Sequence, residues 1–176
     1  LAKKGGDIVT KNKFGDFELT WEWKIAPKGN SGVKYLVDEK RKDAKGKVYN
    51  NAIGHEYQMI DDDNYPEKLK DSQKTGAWYD VMPPKDTSPK PIGEFNQSRL
   101  VARGKHIEHW LNGKLVVAYD TDSPESTAGI AASKFKTVSG FAEHIEAPIL
   151  LQDHNCVVWF RSIKIRAIAA SESKSR

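Results

Sequence analysis

The feature that ties this chain most closely to one fold class is the alternation Phe17-Glu-Leu-Thr-Trp-Glu-Trp-Lys-Ile25, in which every second side chain is large and apolar. Successive side chains of a strand point to opposite faces, whereas a helix would scatter these apolar groups around its circumference. The segment therefore reads as a strand with one face in a core and the other wet. Shorter runs of strand character recur at 33–37, 56–60, 98–103, 107–111, 115–119, 149–152 and 157–165, separated by Gly, Asn, Asp and Pro. Residues 26–32, Ala-Pro-Lys-Gly-Asn-Ser-Gly, supply turn chemistry, so 17–25 and 33–37 form a candidate hairpin. Asn112-Gly113 suits a two-residue type I′ turn, and with Gly104-Lys105 it makes 95–120 a three-stranded antiparallel meander. No amphipathic helix of four turns can be drawn, although 65–72 and 125–135 have room for short ones.

Many short strands in 176 residues, with 38% hydrophobic residues and five Trp to fill an interior, predict an all-β fold of two stacked antiparallel sheets around one core. The expected organisation is a single β-sandwich domain over 1–167 followed by a flexible tail, 168–176, with nothing to bury. No run approaches the ~20 apolar residues of a membrane-spanning helix. Basic and acidic residues number 28 and 24 and are interleaved, so no concentrated basic face for a phosphate backbone is evident. The mixed-sign segment 38–47 reads as a solvated loop, and the lone Cys156, in an apolar run, as a buried structural thiol. The chain opens on Leu1 with neither an initiator Met nor a signal pattern, as expected of a processed or trimmed product. Two polar stretches, 38–54 and 61–93, exceed ordinary hairpin connections. The second carries Trp78, Tyr79, Met82 and Pro83-Pro84 and is expected to be ordered and to wall a site.

Three constellations have chemical content. Residues 54–61, Gly-His-Glu-Tyr-Gln-Met-Ile-Asp, put Glu56 and Gln58 on one strand face and His55, Tyr57 and Met59 on the other. A carboxylate beside an amide, followed by Asp61-Asp62-Asp63, suits sugar hydroxyls, a cation or acid/base work; an edge strand with a wet face accounts for the same residues. Residues 150–155, Leu-Leu-Gln-Asp-His-Asn, emerge from a strand end, where a carboxylate can orient an imidazole or both can hold a metal; an Asp-x-Asn turn closes a loop equally well. In the meander, His106 and Glu108 alternate with His109, which shares a face with apolar neighbours, and Arg99 and Arg103 share one side of the preceding strand, where guanidinium groups can hold an anionic oxygen. Gly-rich phosphate loops, the Gly-x-Ser-x-Gly elbow, His-Glu-x-x-His and Cys-x-x-Cys are all missing.

Order along the chain goes further than any one segment. Phe14-Gly-Asp-Phe-Glu-Leu-Thr-Trp-Glu-Trp23, Gly29-Asn-Ser-Gly-Val-Lys-Tyr35, Gly54-His-Glu-Tyr-Gln-Met-Ile-Asp61, Thr75-Gly-Ala-Trp-Tyr79, Ile107-Glu-His-Trp-Leu-Asn-Gly113, and Leu151-Gln-Asp-His-Asn155 with Val158-Trp-Phe-Arg-Ser-Ile-Lys-Ile165 together resemble the 3-keto-disaccharide hydrolase domain family, over residues 6–166. The resemblance implies a concanavalin/laminarinase-like jelly-roll β-sandwich, found in bacteria that degrade glycans and placed in the periplasm or secreted. It also implies that the family's first strands precede Gly5-Gly6, so that this chain is expected to lack the start of the domain.

Family members act on glycosides whose sugar C3 has been oxidised to a ketone by a partner sugar 3-oxidoreductase. The ketone acidifies the C2 proton; a base removes it, the C1 oxygen leaves with help from an acid, and water adds to the product to complete a net hydrolysis. Such a site needs a base, an acid and a positive group near the enolate oxygen, either an arginine or a divalent ion such as Mn²⁺ or Ca²⁺. On this resemblance the expected catalytic or metal-binding set is Glu56, Asp61, His109, Asp153 and His154, with His154 as the base, Glu56 its rival, and these two the candidate metal ligands. The expected substrate contacts are Asn30, Lys34, Gln58, Trp78, Tyr79, Arg103 and Gln152. The competing reading is a non-catalytic carbohydrate-binding module on the same sandwich with Trp78, Tyr79 and Trp110 as stacking platforms; a structural adhesion domain is a third. Convergence of the acids and histidines in one groove separates the enzyme from the binder.

Overall fold

The structure, a computed structural model, describes residues 5–38, 40, 42, 45–48 and 52–169. Its strands in chain order are β1 (Ile8–Val9), β2 (Phe17–Ile25), β3 (Asn30–Asp38), β4 (Ile53–Ile60), β5 (Asn96–Arg103), β6 (His106–Leu111), β7 (Lys114–Asp120), β8 (Leu150–Leu151) and β9 (Val158–Ala167), with one helix, α1 (Pro124–Ala132), and a 3-10 turn (Asp71–Gln73). They form two antiparallel sheets ordered β1-β8-β3-β4 and β7-β6-β5-β2-β9, the expected jelly-roll sandwich.

The alternation in β2 does what its period dictates: Phe17, Leu19, Trp21, Trp23 and Ile25 are all 3% exposed or less and meet the other sheet in the core. Polar ends of the core aromatics find partners there, as burial requires: the Trp23 indole donates to Ser98 Oγ at 2.9 Å, and Ser98 Oγ donates to the Tyr57 hydroxyl at 2.9 Å. A chain of buried polar groups also joins the sheets, from His55 Nδ1 to Tyr119 Oη at 2.7 Å, Tyr119 Oη to Tyr35 Oη at 2.9 Å, and Tyr35 Oη to His109 Nε2 at 2.6 Å.

The meander is present as β5, β6 and β7, with Asn112 at φ 49° and Gly113 at φ 83°, the positive pair a type I′ turn demands. The hairpin expected between 17–25 and 33–37 is not: β2 pairs with β5 and β9, while β3 pairs with β4 and β8 in the opposite sheet. Turn residues announce a reversal without saying which layer the returning strand joins. Here β3 is buried along both faces, with the core on one side and the loops of the site on the other, so it lies inside the second sheet.

The long connection 61–93 is ordered, as expected, because it completes the sheet beside β4. Gln58 N–H donates to Ala77 O at 3.2 Å, Gly76 N–H to Gln58 O at 2.9 Å and Tyr79 N–H to Glu56 O at 3.0 Å, so β4 has no bare edge along this stretch. Apolar docking runs past the expected start of the tail: Ile168 is buried and its N–H donates to Asp16 O at 2.9 Å. Residues 170–176 of that tail, and 39, 41, 43 and 44 of the loop expected to be solvated, lie outside the described residues.

Candidate functional site

The candidate site is a cavity of about 340 Å³ on the side of β3 and β4 that faces away from the core. Pleating decides which side chains reach it. Val33, Tyr35, His55, Tyr57 and Met59 turn inward, leaving Lys34, Glu56 and Gln58 to line the cavity, with Lys34 opposite Glu56 and Gly32 opposite Gln58 across the two strands. Asn30 at the start of β3, Tyr79 from the long connection, Gln152, Asp153 and His154 after β8, and Lys134 and Phe135 after α1 complete the walls.

Helix α1 delivers Lys134. Ser123 caps its first turn by accepting from Ser126 N–H at 3.1 Å, Pro124 opens it, and its end is turned by Ser133, whose hydroxyl accepts from Phe135 N–H at 3.0 Å. Lys134 N–H then donates to Asp80 Oδ2 at 2.8 Å, fastening this segment to the long connection. The Lys134 ammonium lies 4.3 Å from the centroid of the Tyr79 ring. Loss of solvent around it pushes its pKa down, opposed by the charges of Glu56 and Asp80.

Glu56 is 6% exposed, and among the described residues only burial and nearby charges, no hydrogen bond, act on its carboxyl. Burial pushes its pKa up, with Lys34 and Lys134 working against that rise. The Tyr79 hydroxyl, also desolvated and near Glu56, is pushed up to about 12, so it stays a proton-bearing donor. Gly32 is the residue that makes room for Glu56: a Cβ at that position would lie 2.3 Å from Glu56 Oε1. Gly32→Ala is therefore expected to displace the carboxyl and to lower turnover at least tenfold while thermal unfolding shifts little. Wild-type turnover in this variant would show that the carboxyl position does not matter.

Three side-chain amide oxygens around the cavity, Asn30 Oδ1, Gln58 Oε1 and Gln152 Oε1, are buried without a partner among the described residues. An unsatisfied buried acceptor costs about 1–3 kcal/mol. Three on one cavity define a cradle for a ligand rich in hydroxyl donors.

Eight of the twelve residues expected to form the site share this cavity: Glu56, Asp153, His154, Asn30, Lys34, Gln58, Tyr79 and Gln152. Four do not. His109 is fully buried between the sheets, where Nδ1 donates to Gly76 O at 2.9 Å and burial pushes its pKa down to about 4; it is a neutral core histidine. Trp78 is fully buried on the core side, its ring stacked on Tyr119 at 4.0 Å, so it offers no face to a sugar. Asp61 closes the start of the long connection, accepting from Lys28 N–H at 2.8 Å and from Asn64 N–H and Nδ2 at 3.2 Å each. Arg103 ends β5 in the other sheet, exposed. His109 and Trp78 are buried on the core side and Asp61 and Arg103 lie outside the cavity lining, a separation that tertiary structure makes.

Asp153 and His154 are both at the cavity, but the Asp153 carboxylate is turned toward backbone, accepting from Gly6 N–H at 2.8 Å and Asn155 N–H at 3.0 Å, which holds it below the usual range. It braces the loop and does not orient the imidazole. Among the described residues no three of His, Cys, Asp and Glu are grouped to hold a metal ion, and the charges acting on Glu56 include two ammonium groups. With two ammonium groups beside its one buried carboxyl, this donor set does not fit a divalent ion. Lys134 and Gly32 escaped sequence reasoning: one follows a short helix with no motif around it, the other reads as an ordinary turn residue.

The family model described as the 3-keto-alpha-glucoside-1,2-lyase-like domain matches residues 1–166. The chain belongs to this family. A curated relative named 3-keto-disaccharide hydrolase, from Bacteroides thetaiotaomicron, is 36% identical over 183 residues; the match takes in 93% of this chain, which spans 62% of the relative's length. Two crystal structures from Parabacteroides distasonis ATCC 8503, each described as a "putative glycosyl hydrolase", are also similar. The first is 34% identical with a TM-score of 0.83, covering 93% of this chain and 76% of that one. The second is 30% identical with a TM-score of 0.71, covering 93% and 83%. In this 3-keto-alpha-glucoside-1,2-lyase-like domain the cavity on β3 and β4 thus brings together a carboxyl, two ammonium groups and three side-chain amides.

Proposed function

We propose that the chain cleaves the glycosidic bond of 3-keto-glycosides by elimination and addition of water. The observation that carries this reading is the partnerless, desolvated Glu56 carboxyl under the influence of two ammonium groups, in a cavity with three unpaired amide oxygens. Glu56, as carboxylate, takes the C2 proton. The C2–H electron pair becomes the enolate of the C3 ketone, whose oxygen is stabilised by Lys34 and Lys134, the role for which the sequence offered an arginine or a divalent ion. The enolate collapses, the C1–O bond breaks, and the leaving oxygen takes a proton from His154, the imidazole at the cavity. Water then adds at C1 of the enone, its proton passing to His154, and C2 recovers a proton from Glu56, so both residues return to their starting states and the sum is hydrolysis. This order exchanges the roles expected from the sequence, where His154 was the base: His154 is exposed at the cavity, while Glu56 is buried in its β4 wall. A sugar 3-oxidoreductase is the class of enzyme that supplies the substrate.

A direct comparison tests the reading. The protein is expected to cleave a 3-keto-glucoside and to leave the unoxidised parent intact over the same period, because without the ketone C2 is not acidic. Equal cleavage of the parent would make it an ordinary glycosidase, and tight binding without cleavage of either would make it a binding module.

A further inference from the structure

The cavity does not end at His154. A second, of about 230 Å³, adjoins it and shares Asn30, Gln58, Tyr79 and His154 as a common wall. Its remaining lining comes largely from the long connection, with Tyr65, Glu67, Lys68 and Gln73 on the far side. This wall is anchored at both ends. Tyr65 N–H donates to Asp61 O at 3.1 Å, and Asn30 Nδ2 donates to the Tyr65 hydroxyl at 3.4 Å. Gln73 Nε2 donates to Asp80 Oδ1 at 3.1 Å. Between the anchors, the Glu67 and Lys68 side chains are exposed and make no hydrogen bond or ion pair among the described residues.

We infer that Glu67 and Lys68 line the subsite for the leaving group and determine its specificity, favouring a hydroxyl-bearing group over a bare alkyl one. The inference rests on the proposed reaction and deepens it. Only the first cavity contains Glu56, Lys34 and Lys134, so the ketone-bearing ring belongs there. The leaving group then extends into the second cavity, and the scissile C1–O bond passes over the shared wall, beside the imidazole that protonates the departing oxygen. Asn30 and Gln58 belong to this shared wall, and their side-chain amide oxygens are buried without a partner among the described residues. Across from them a carboxylate and an ammonium offer charge-assisted hydrogen bonds to hydroxyls, stronger than neutral ones. A bare alkyl leaving group would leave all of these unused.

The test measures kcat/KM of the wild-type protein and of the double variant Glu67→Ala/Lys68→Ala on two substrates, a 3-keto-disaccharide with a glucose leaving group and methyl 3-keto-glucoside. The ratio of the two values is expected to fall roughly tenfold in the variant, mainly through KM for the disaccharide. Because the ratio is internal to each preparation, any general loss of folded protein cancels. Inhibition of the wild type by free glucose, weakened in the variant, would support the same placement. A ratio unchanged within twofold, or an equal loss on both substrates, overturns the inference while leaving the proposed reaction standing. Failure of the wild-type protein to cleave either substrate overturns both.

Discussion

Glu56→Gln is expected to lower kcat on a 3-keto-glycoside roughly a hundred- to ten-thousand-fold, the range that removal of a general base commands. Gln has nearly the shape of Glu and keeps an acceptor oxygen, so the cavity and its hydroxyl cradle survive, and KM should move far less than kcat. What is lost is the ability to hold the C2 proton. The pH dependence follows from the same residue. The base must be ionised, so wild-type activity should rise with pH through the raised pKa of Glu56, and the residual activity of the variant should lack that limb.

Stability should move in the opposite sense. A carboxyl whose pKa is raised on folding holds its proton more firmly in the native state than in the unfolded chain. Its contribution to stability is complete below the ordinary carboxylate range and is lost as pH rises through the raised value. Gln never ionises, so the variant should resist urea better than wild type at alkaline pH, and the advantage should vanish in acid. Turnover within tenfold of wild type, with the wild-type pH profile retained, would remove Glu56 from the reaction.

Trp78→Ala has the largest expected effect on stability, a loss of about 3–5 kcal/mol, as for other buried large-to-small changes at aromatic positions. The side chain is fully buried. Its ring stacks on Tyr119 at 4.0 Å and on His55 at 4.6 Å. Its backbone bridges to Tyr57 and Met82, so the residue is the point at which the long connection is fastened to β4. Truncation opens a void and loosens the wall that carries Tyr79. Trp78→Phe, which keeps an aromatic ring and removes an indole N–H that has no partner, should cost much less and should bind substrate normally. Urea unfolding of both variants checks this. A loss below about 1 kcal/mol in the alanine variant, with impaired sugar binding in both, would return Trp78 to the role of a sugar platform.

Legibility of the site tracked strand parity. The alternation in 54–61 puts Glu56 and Gln58 on one strand face, and they share it; what reads as a wet face is enclosed by Tyr79, Lys134, Phe135 and Gln152, so both are buried. His109 stood in an equally suggestive segment, yet its parity places it in the core with Tyr35. Asp153 and His154 were seen as a pair, and only the backbone of Gly6, far away in the chain, shows that the carboxylate serves the loop.

Local information, the alternation of period two in β2 and the Asn112-Gly113 turn, was enough by itself to determine strands, the meander and a sandwich of two sheets, because side-chain direction and turn twist depend on neighbours in sequence. The partner of each strand, and the meeting of Lys134, Glu56, Gln152 and His154 around one cavity, were decided by tertiary structure. Those residues come from different elements, and desolvation of a carboxyl is a property of everything packed around it, which no window of sequence contains.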